Sequence, residues 1–467
     1  MKNVLKKFYN TYFLIFSLML IVAALTWTVP PGQYDRTEQN GQTIAVADSF
    51  HAVARAPQGI GQALQAPIEG FSQCAPIIAF ILVVGMLFTV IERTGAINTV
   101  IKKVSYYFSH HPRQRILFIP TCIFLFSLCG ALFGMEEETL IFIPIFIPLA
   151  LSLGYDTVVG MSIPFIGAFT GFSSAFINPF TVGIAQTIAQ LPMYSGWQYR
   201  LLVWFIFTSV VAGFFTWYGE KIRKHPSKSL TAKLDVTRRA EFNIINDVVV
   251  DESFHLTRAH KLVLLSFLAG MGLLFYGVIR YQWYMNEIAA VFLGVTVAAA
   301  YFGKLTLTET TDAILDGSKN MIGICILMAL ARSIVILATN GHILDTFLHT
   351  MTQGLSGMHP IVASQAMFFV QTLLNFFVAS GSGQAVLTMP IMVPLGDLLN
   401  VSRQTVILAF QFGDGWGNPI LPTAPVTIGA LALAGISYTA WVKWFMRLEI
   451  ILIIMSLLLL IPAYYIW

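Results

Sequence analysis

Residues 11–27 read TYFLIFSLMLIVAALTW, without one charged side chain. An α-helix rises 1.5 Å per residue, and about 20 apolar residues cross the hydrocarbon core of a bilayer. Few folds are open to such a run, because lipid offers no hydrogen bonds to an unpaired backbone. Similar runs recur, and candidate spans lie at 11–29, 74–91, 200–219, 259–280, 286–303, 318–338 and 444–465. Two longer apolar regions, 114–191 and 361–431, are interrupted by polar and Gly/Pro clusters. Charged residues make up 11% of the chain, against roughly 25% in globular domains. The fold class that follows is an all-α polytopic membrane protein, with the lipid bilayer as its surroundings.

Lys and Arg positions set orientation. Lys2, Lys6 and Lys7 precede the first run, and TVPPGQY after it lacks a small-x-small cleavage site. The run therefore reads as a retained first span with a cytoplasmic N-terminus, in a bacterial inner membrane. Arg93, Lys102, Lys103, Arg113 and Arg115, the basic stretch 221–239, and Lys443 with Arg447 fall on the same side. The polar stretch 32–67 falls on the other. The net charge of +4 records this topology, and no nucleic-acid partner is expected. Cys74, Cys122, Cys129 and Cys325 lie in or beside apolar segments, at spacings that suit neither zinc nor a disulfide framework.

The chain repeats itself. EGFSQCAPIIAFILVVGMLFTVIERTGAI from Glu69 parallels DGSKNMIGICILMALARSIVILATNGHI from Asp316. PIFIPLALSL (144–153) parallels PIMVPLGDLL (390–399), and Asn178-Pro179 parallels Asn418-Pro419. The domain reading is a first half, 1–219, a cytoplasmic linker, 220–258, and a second half, 259–467. By the charge rule 74–91 and 318–338 run in opposite directions, so the repeats are inverted. Inverted repeats with interrupted segments point to a secondary transporter and to its site.

The interruptions have a common form. Segment 114–153 has two apolar arms around GMEEET (134–139), and 361–398 has two around ASGSGQA (379–385). Both read as re-entrant hairpins. Gly134, Gly381 and Gly383 suit their tips through positive φ. Each hairpin precedes a broken span, 157–191 with GFSSAFINPF and 404–431 with GDGWGNPILP. Pro179 and Pro419 are expected to make the breaks, since proline removes a donor and clashes with the preceding turn. The count is about nine spans plus two hairpins.

GMEEET, SSAFINPF, SGSGQA and GDGWGNP, with TWTVPPGQY, LGYD and PIMVPLGDLLNVSRQ, resemble the YfcC-like family. That family is also called the basic amino acid antiporter family and is grouped with the anaerobic C4-dicarboxylate carriers. The resemblance covers essentially the whole chain. It implies a scaffold, a moving domain with two opposed hairpins, a homodimer, an elevator motion and arginine/ornithine exchange. The tips depart from the Ser-Asn-Thr of dicarboxylate sodium symporters.

The substrate-binding candidates follow. Among Glu136, Glu137 and Glu138, carboxylates at membrane depth point to a cationic group or a proton, with Glu137 and Glu138 favoured over Glu136. The competing role is capping of the helix that follows. Asp414, read as lying in a Gly-rich break, binds a cation or ammonium or caps loop amides. Ser173, Ser174, Asn178 and Asn418 coordinate ligand or satisfy broken backbone. Ser380, Gly381, Ser382, Gly383 and Gln384 receive a carboxylate or form a tight turn. Arg332, inside ILMALARSIVIL, pairs with another helix or meets a substrate carboxylate. Ser382 has no intramembrane histidine as base, and no zinc motif, P-loop or dinucleotide fingerprint occurs, so an enzyme is not expected. No cofactor is expected beyond a coupling ion, H+ or Na+. The alternative to basic amino acid antiport is a proton- or sodium-coupled carboxylate symporter.

Overall fold

The computed structural model describes the chain apart from Met1, residues 40–41, 47–48 and 98, much of 101–110, residues 243–255, and 282, 284 and 356. The chain opens with α1 (Lys2–Thr28). Four short strands follow, β1 (Gly32–Gln33), β2 (Arg36–Gln39), β3 (Gln42–Ala45) and β4 (His51–Ala52). They form two antiparallel pairs, β1 with β4 and β2 with β3. The rest of the first half is helical: α2 (Ile60–Gln73), α3 (Ala75–Arg93), α4 (Phe118–Phe133), α5 (Thr139–Ser152), α6 (Thr157–Ser173), α7 (Ile184–Ile188) and α8 (Trp197–Lys224). After α9 (Ala232–Glu241) come α10 (Arg258–Tyr281), α11 (Met285–Phe302), α12 (Leu307–Asn340) and α13 (Leu344–Gln353). The last helices are α14 (Pro360–Asn375), α15 (Gly381–Leu398), α16 (Arg403–Gly417), α17 (Pro425–Ala434) and α18 (Tyr438–Ile466). The all-α class holds apart from the small strand pairs. Among the described residues α3, α8, α12 and α18 are the helices long and apolar enough to cross a bilayer alone.

Packing divides these helices into two layers. In one, α3 and α12 cross closely, with α1 and α2 against α12 and α11 against α3. Gly85 and Gly317 make that crossing tight, since a Cβ on either would meet the other's backbone. Small residues let membrane helices approach where apolar area gives no net attraction. In the other layer α4 and α5 pack on α6, and α14 and α15 pack on α16. The correspondence continues outward: α8 covers α4 and α6, α18 covers α14 and α16, and α6 meets α16 at the centre. The second arm of each hairpin packs on the other half's post-break helix, α5 on α17 and α15 on α7.

Both breaks are present, the second beginning just before Pro419 as expected, but each differs in detail. Pro179 does not interrupt the helix; α6 ends at Ser173, and Pro179 opens the π-helical turn Pro179–Gly183. A proline at the first helical position loses no intrahelical bond, because that amide has no partner anyway. In the second half α16 runs on to Gly417, so Asp414 sits in a helix and not in a glycine-rich break. Gly413 and Gly415 serve contact: a Cβ on Gly413 would strike Gln371 and the Phe368 carbonyl, and one on Gly415 would strike Ser173.

The middle of the chain is more than a tether. Helix α8 continues to Lys224, past 219, and α9 is docked on the helix ends. Arg239 donates to the carbonyls of Leu151 and Tyr155, and Arg238 to that of Leu433. Asp235 accepts from the Thr157 amide and the Thr231 hydroxyl. Asp156 caps α6 through the Val159 amide and accepts from Tyr218 and Ser229. Burial, then the charge of Asp235, pushes the Asp156 carboxyl up to about 6. Its unfolded value is about 4. The folded chain therefore binds this proton more tightly, so docking is strongest below about pH 4 and weakens as pH rises to 6. We expect α9 amides to exchange about tenfold more slowly at pH 5 than at 7.5, after correction for intrinsic rates. Asp156→Asn erases that difference; an unchanged difference in that variant places its origin elsewhere.

Candidate functional site

Two turns and two helix breaks converge between the layers. Helix α4 ends at Phe133, and Gly134 follows with φ +67°. Asn178 lies 3.0 Å from where a Cβ on Gly134 would stand, so the left-handed turn and a close neighbour both favour glycine there. The second tip is built differently. Helix α15 starts at Gly381, with Ser380 as N-cap accepting from the Gly383 amide at 3.4 Å. Ser382, Gly383 and Gln384 therefore lie in the first helical turn, and neither Gly381 nor Gly383 has positive φ. Gly381 is needed for closeness: a Cβ would lie 2.8 Å from Asp414 Oδ2 and against Thr181.

Between the tips is a cavity of about 360 Å3. Glu136, Glu137 and Glu138 line it from the first tip, and Ser380, Gly381 and Ser382 from the second. Arg332 of α12 and Gln73 of α2 close it on the side of the other layer, hydrogen-bonded Nε to Oε1 at 2.8 Å. Thr181, Trp283 and Pro425 complete the wall. Arg332 is thus held by an amide, leaving its guanidinium for a further acceptor. The start of α15 presents helix N-terminal amides, which favour an anion; the end of α4 presents carbonyls, which favour a cation. One cavity so carries an anion-attracting wall and a cation-attracting wall.

The acids are not equivalent. Glu138 is the N-cap residue of α5, and its Oε2 accepts from the Glu136 amide at 3.2 Å. Glu138 occupies the N-cap position without a side-chain cap bond to α5; its carboxylate instead ties back the turn that carries Glu136.

Other candidates stand behind the wall. Ser173 and Ser174 donate to the carbonyls of Phe169 and Thr170 in their own helix, so neither offers its proton to a ligand. Asn178 Oδ1 accepts from the Phe180 amide, while its Nδ2 is buried without a partner. Asn418 Oδ1 accepts from Asn375 Nδ2, and Asn418 Nδ2 is likewise unpartnered. Gln384 is fully buried and donates to Gln371, turned away from the cavity. Asp414 caps no loop amide: both its oxygens are buried and accept nothing. It sits one layer behind the cavity, facing Gly381 and near the unpartnered Thr181 hydroxyl. Gln73, Thr181 and Trp283 escaped sequence reasoning, as each meets the site only through chain segments remote from the tips.

Residues 8–465 match the family of C4-dicarboxylate anaerobic carriers. The Escherichia coli protein YfcC, whose name proposes basic amino acid antiport, is 33% identical over 97% of this chain and 96% of its own. An uncharacterized Haemophilus influenzae protein is 27% identical over 98% of this chain and 97% of its own. Among solved structures, the Alcanivorax borkumensis YdaH transporter aligns with a TM-score of 0.43 at 17% identity, covering 98% of this chain and 99% of that one. Neisseria gonorrhoeae MtrF, described with a class of antimetabolite efflux pumps, aligns at 0.42 and 16%, covering 96% and 94%.

Proposed function

The chain belongs to the C4-dicarboxylate anaerobic carrier family and is a secondary transporter, not an enzyme; we propose that it exchanges basic amino acids of the arginine and ornithine type. The observation that carries this reading is the two-sided cavity, with acids on one wall and Arg332, serines and a helix N-terminus on the others. A basic amino acid has matching ends. Its α-carboxylate meets Arg332, Ser380, Ser382 and the first amides of α15, and its cationic end meets Glu136 and Glu137. Exchange of like charges needs no other energy source.

In the same reading the paired packing of α4–α6 and α14–α16 supports two repeats with re-entrant hairpins; their inversion, about nine spans besides the hairpins and a cytoplasmic N-terminus in the bacterial inner membrane rest on the sequence pattern. A second cavity of about 370 Å3 supports an elevator motion. It lies between α3 and α12 on one side and α5 and α17 on the other, with Arg238 of α9 at its wall. It touches α12 at Met321, about 16 Å along that helix from Arg332. The hairpin layer slides along this wall, within a homodimeric scaffold.

Asp414 favours a second reading. A buried, unpartnered carboxylate behind the tip, near the Thr181 hydroxyl, suits a coupling cation, as in a proton- or sodium-coupled carboxylate symporter. Uptake into proteoliposomes separates the two. We expect labelled arginine to enter only when arginine or ornithine is inside, and succinate to be excluded. Uptake of succinate with indifference to both amino acids would overturn the antiport reading.

A further inference from the structure

Five acids among the described residues are buried as whole residues: Asp156, Asp235, Asp345, Asp414 and Glu449. Three have ample partners. Asp156 and Asp235 accept from amides and hydroxyls around α9, and Asp345 accepts from the Tyr34 amide and from Arg36. Asp414 keeps both oxygens, and Glu449 its Oε2, buried and without a partner. Asp414 belongs to the site already described; Glu449 does not.

Glu449 lies halfway along α18 and is 1% exposed. Its neighbours on the buried face are Trp441, Phe445, Leu448, Leu452, Ser456 and Leu460, spaced by three and four along one helical stripe, and the Ser456 hydroxyl is committed to the Leu452 carbonyl. A leucine would fill such a position without the cost of burying a polar group. An ionisable side chain within a membrane helix is by default a functional one.

Among the described residues of the helices packed on α18, none supplies a counter-charge. Helix α18 packs on α8, α14, α16 and α17. Neither α14 nor α17 contains an acid or a base. In α8, Arg200 is committed to Ser195 and Gln404, Tyr199 to the Leu459 carbonyl, and Tyr218 to Asp156. Its remaining charges, Glu220, Lys221, Arg223 and Lys224, lie at its far end, with Glu220 paired to Arg223. In α16, Arg403 holds Asp397. Phe412 and Trp416 face Phe207 of α8, so Asp414, two residues from each, turns to the opposite side. On α18 itself Tyr438 donates to the Ile420 carbonyl, and Lys443 and Arg447 are exposed.

We propose that Glu449 is a proton-binding site, filled in this conformation and emptied in another state of the transport cycle, so that substrate movement is coupled to H+. This rests on the secondary-transporter reading and adds the coupling ion. The proton leaves to water when the α18 seam opens to it, and no other bond changes.

Dicyclohexylcarbodiimide, which attacks protonated carboxyls in apolar surroundings, tests the site without a substrate. In membranes holding the full chain we expect labelling at Glu449, at least about tenfold faster at pH 6 than at pH 9. Absent or pH-independent labelling would overturn the proposal. In proteoliposomes loaded with ornithine, the ratio of arginine uptake under an imposed pH gradient to arginine counterflow at equal pH drops about tenfold in Glu449→Gln and returns in Glu449→Asp. An undiminished ratio in Glu449→Gln overturns it too. Absence of arginine counterflow in the unaltered protein counts against the substrate reading instead, and the labelling result alone then decides on Glu449.

Discussion

Replacing Arg332 with glutamine cuts the kcat/KM for arginine uptake by about a hundred- to a thousandfold. The guanidinium faces the cavity and holds only an amide, Gln73, among its hydrogen-bond partners there. It is therefore ready for a carboxylate. Loss of one partner of a desolvated, charge-assisted pair costs about 2–5 kcal/mol, which spans this range. Arg332→Lys keeps the charge but loses the planar fork, so its defect is smaller, about tenfold. Arg332 also bridges α12 to α2, and a purely structural role needs excluding. Gln73→Ala breaks the same bridge and leaves the guanidinium in place. Uptake and thermal unfolding in detergent are measured for all three. Equal losses in Gln73→Ala and Arg332→Gln assign the effect to the bridge and remove Arg332 from the site.

Arg332 marks the limit of what the sequence makes legible. A charge inside ILMALARSIVIL announces that it needs a partner, but Gln73 lies 259 residues away and nothing local names it. Local chemistry was readable where it decides the backbone. Two apolar arms around GMEEET give α4, the Gly134 turn and α5, and the arms around the serine-glycine tip give α14 and α15. It misled where packing decides. Gly381, Gly413 and Gly415 read locally as loop residues, yet they lie in helices, where another chain segment crowds each of them and leaves no room for a Cβ. The same ambiguity put Asp414 in a loop, and the helix carries it instead to a place behind Gly381. Pro179 signalled a discontinuity correctly, but a proline starts a helix as readily as it stops one, and here it does the former. Ser173, Ser174 and Gln384 were chosen by type. Their burial and their bonds to nearby backbone or amide groups are facts of the tertiary structure. Glu449 follows two exposed bases in the sequence, and only the packing of α18 turns it inward.

Glu137→Gln lowers the kcat/KM for arginine about a hundredfold, while Glu138→Gln leaves it within about threefold. The asymmetry follows from Glu138 Oε2, which accepts from the Glu136 amide and so steadies the turn. A glutamine there keeps an acceptor oxygen, whereas Glu138→Leu removes it and costs about 1 kcal/mol of stability, as loss of one hydrogen bond does. Glu137 lines the cavity, and the amide its carboxylate meets is its own, so it ties down no neighbouring residue of the turn. Its carboxylate is thus available to a substrate's positive end, and an amide replaces an ionic contact with a neutral one. The same variant separates two ligands. If Glu137 meets substrate, Glu137→Gln raises KM for arginine and spares uptake of a neutral analogue with the same backbone. If it holds a coupling cation, arginine and the neutral analogue suffer equally, and the loss follows sodium or proton concentration. Equal activity of Glu137→Gln and the unaltered protein, with Glu136→Gln inactive, would assign the cationic contact to Glu136, which lines the same cavity.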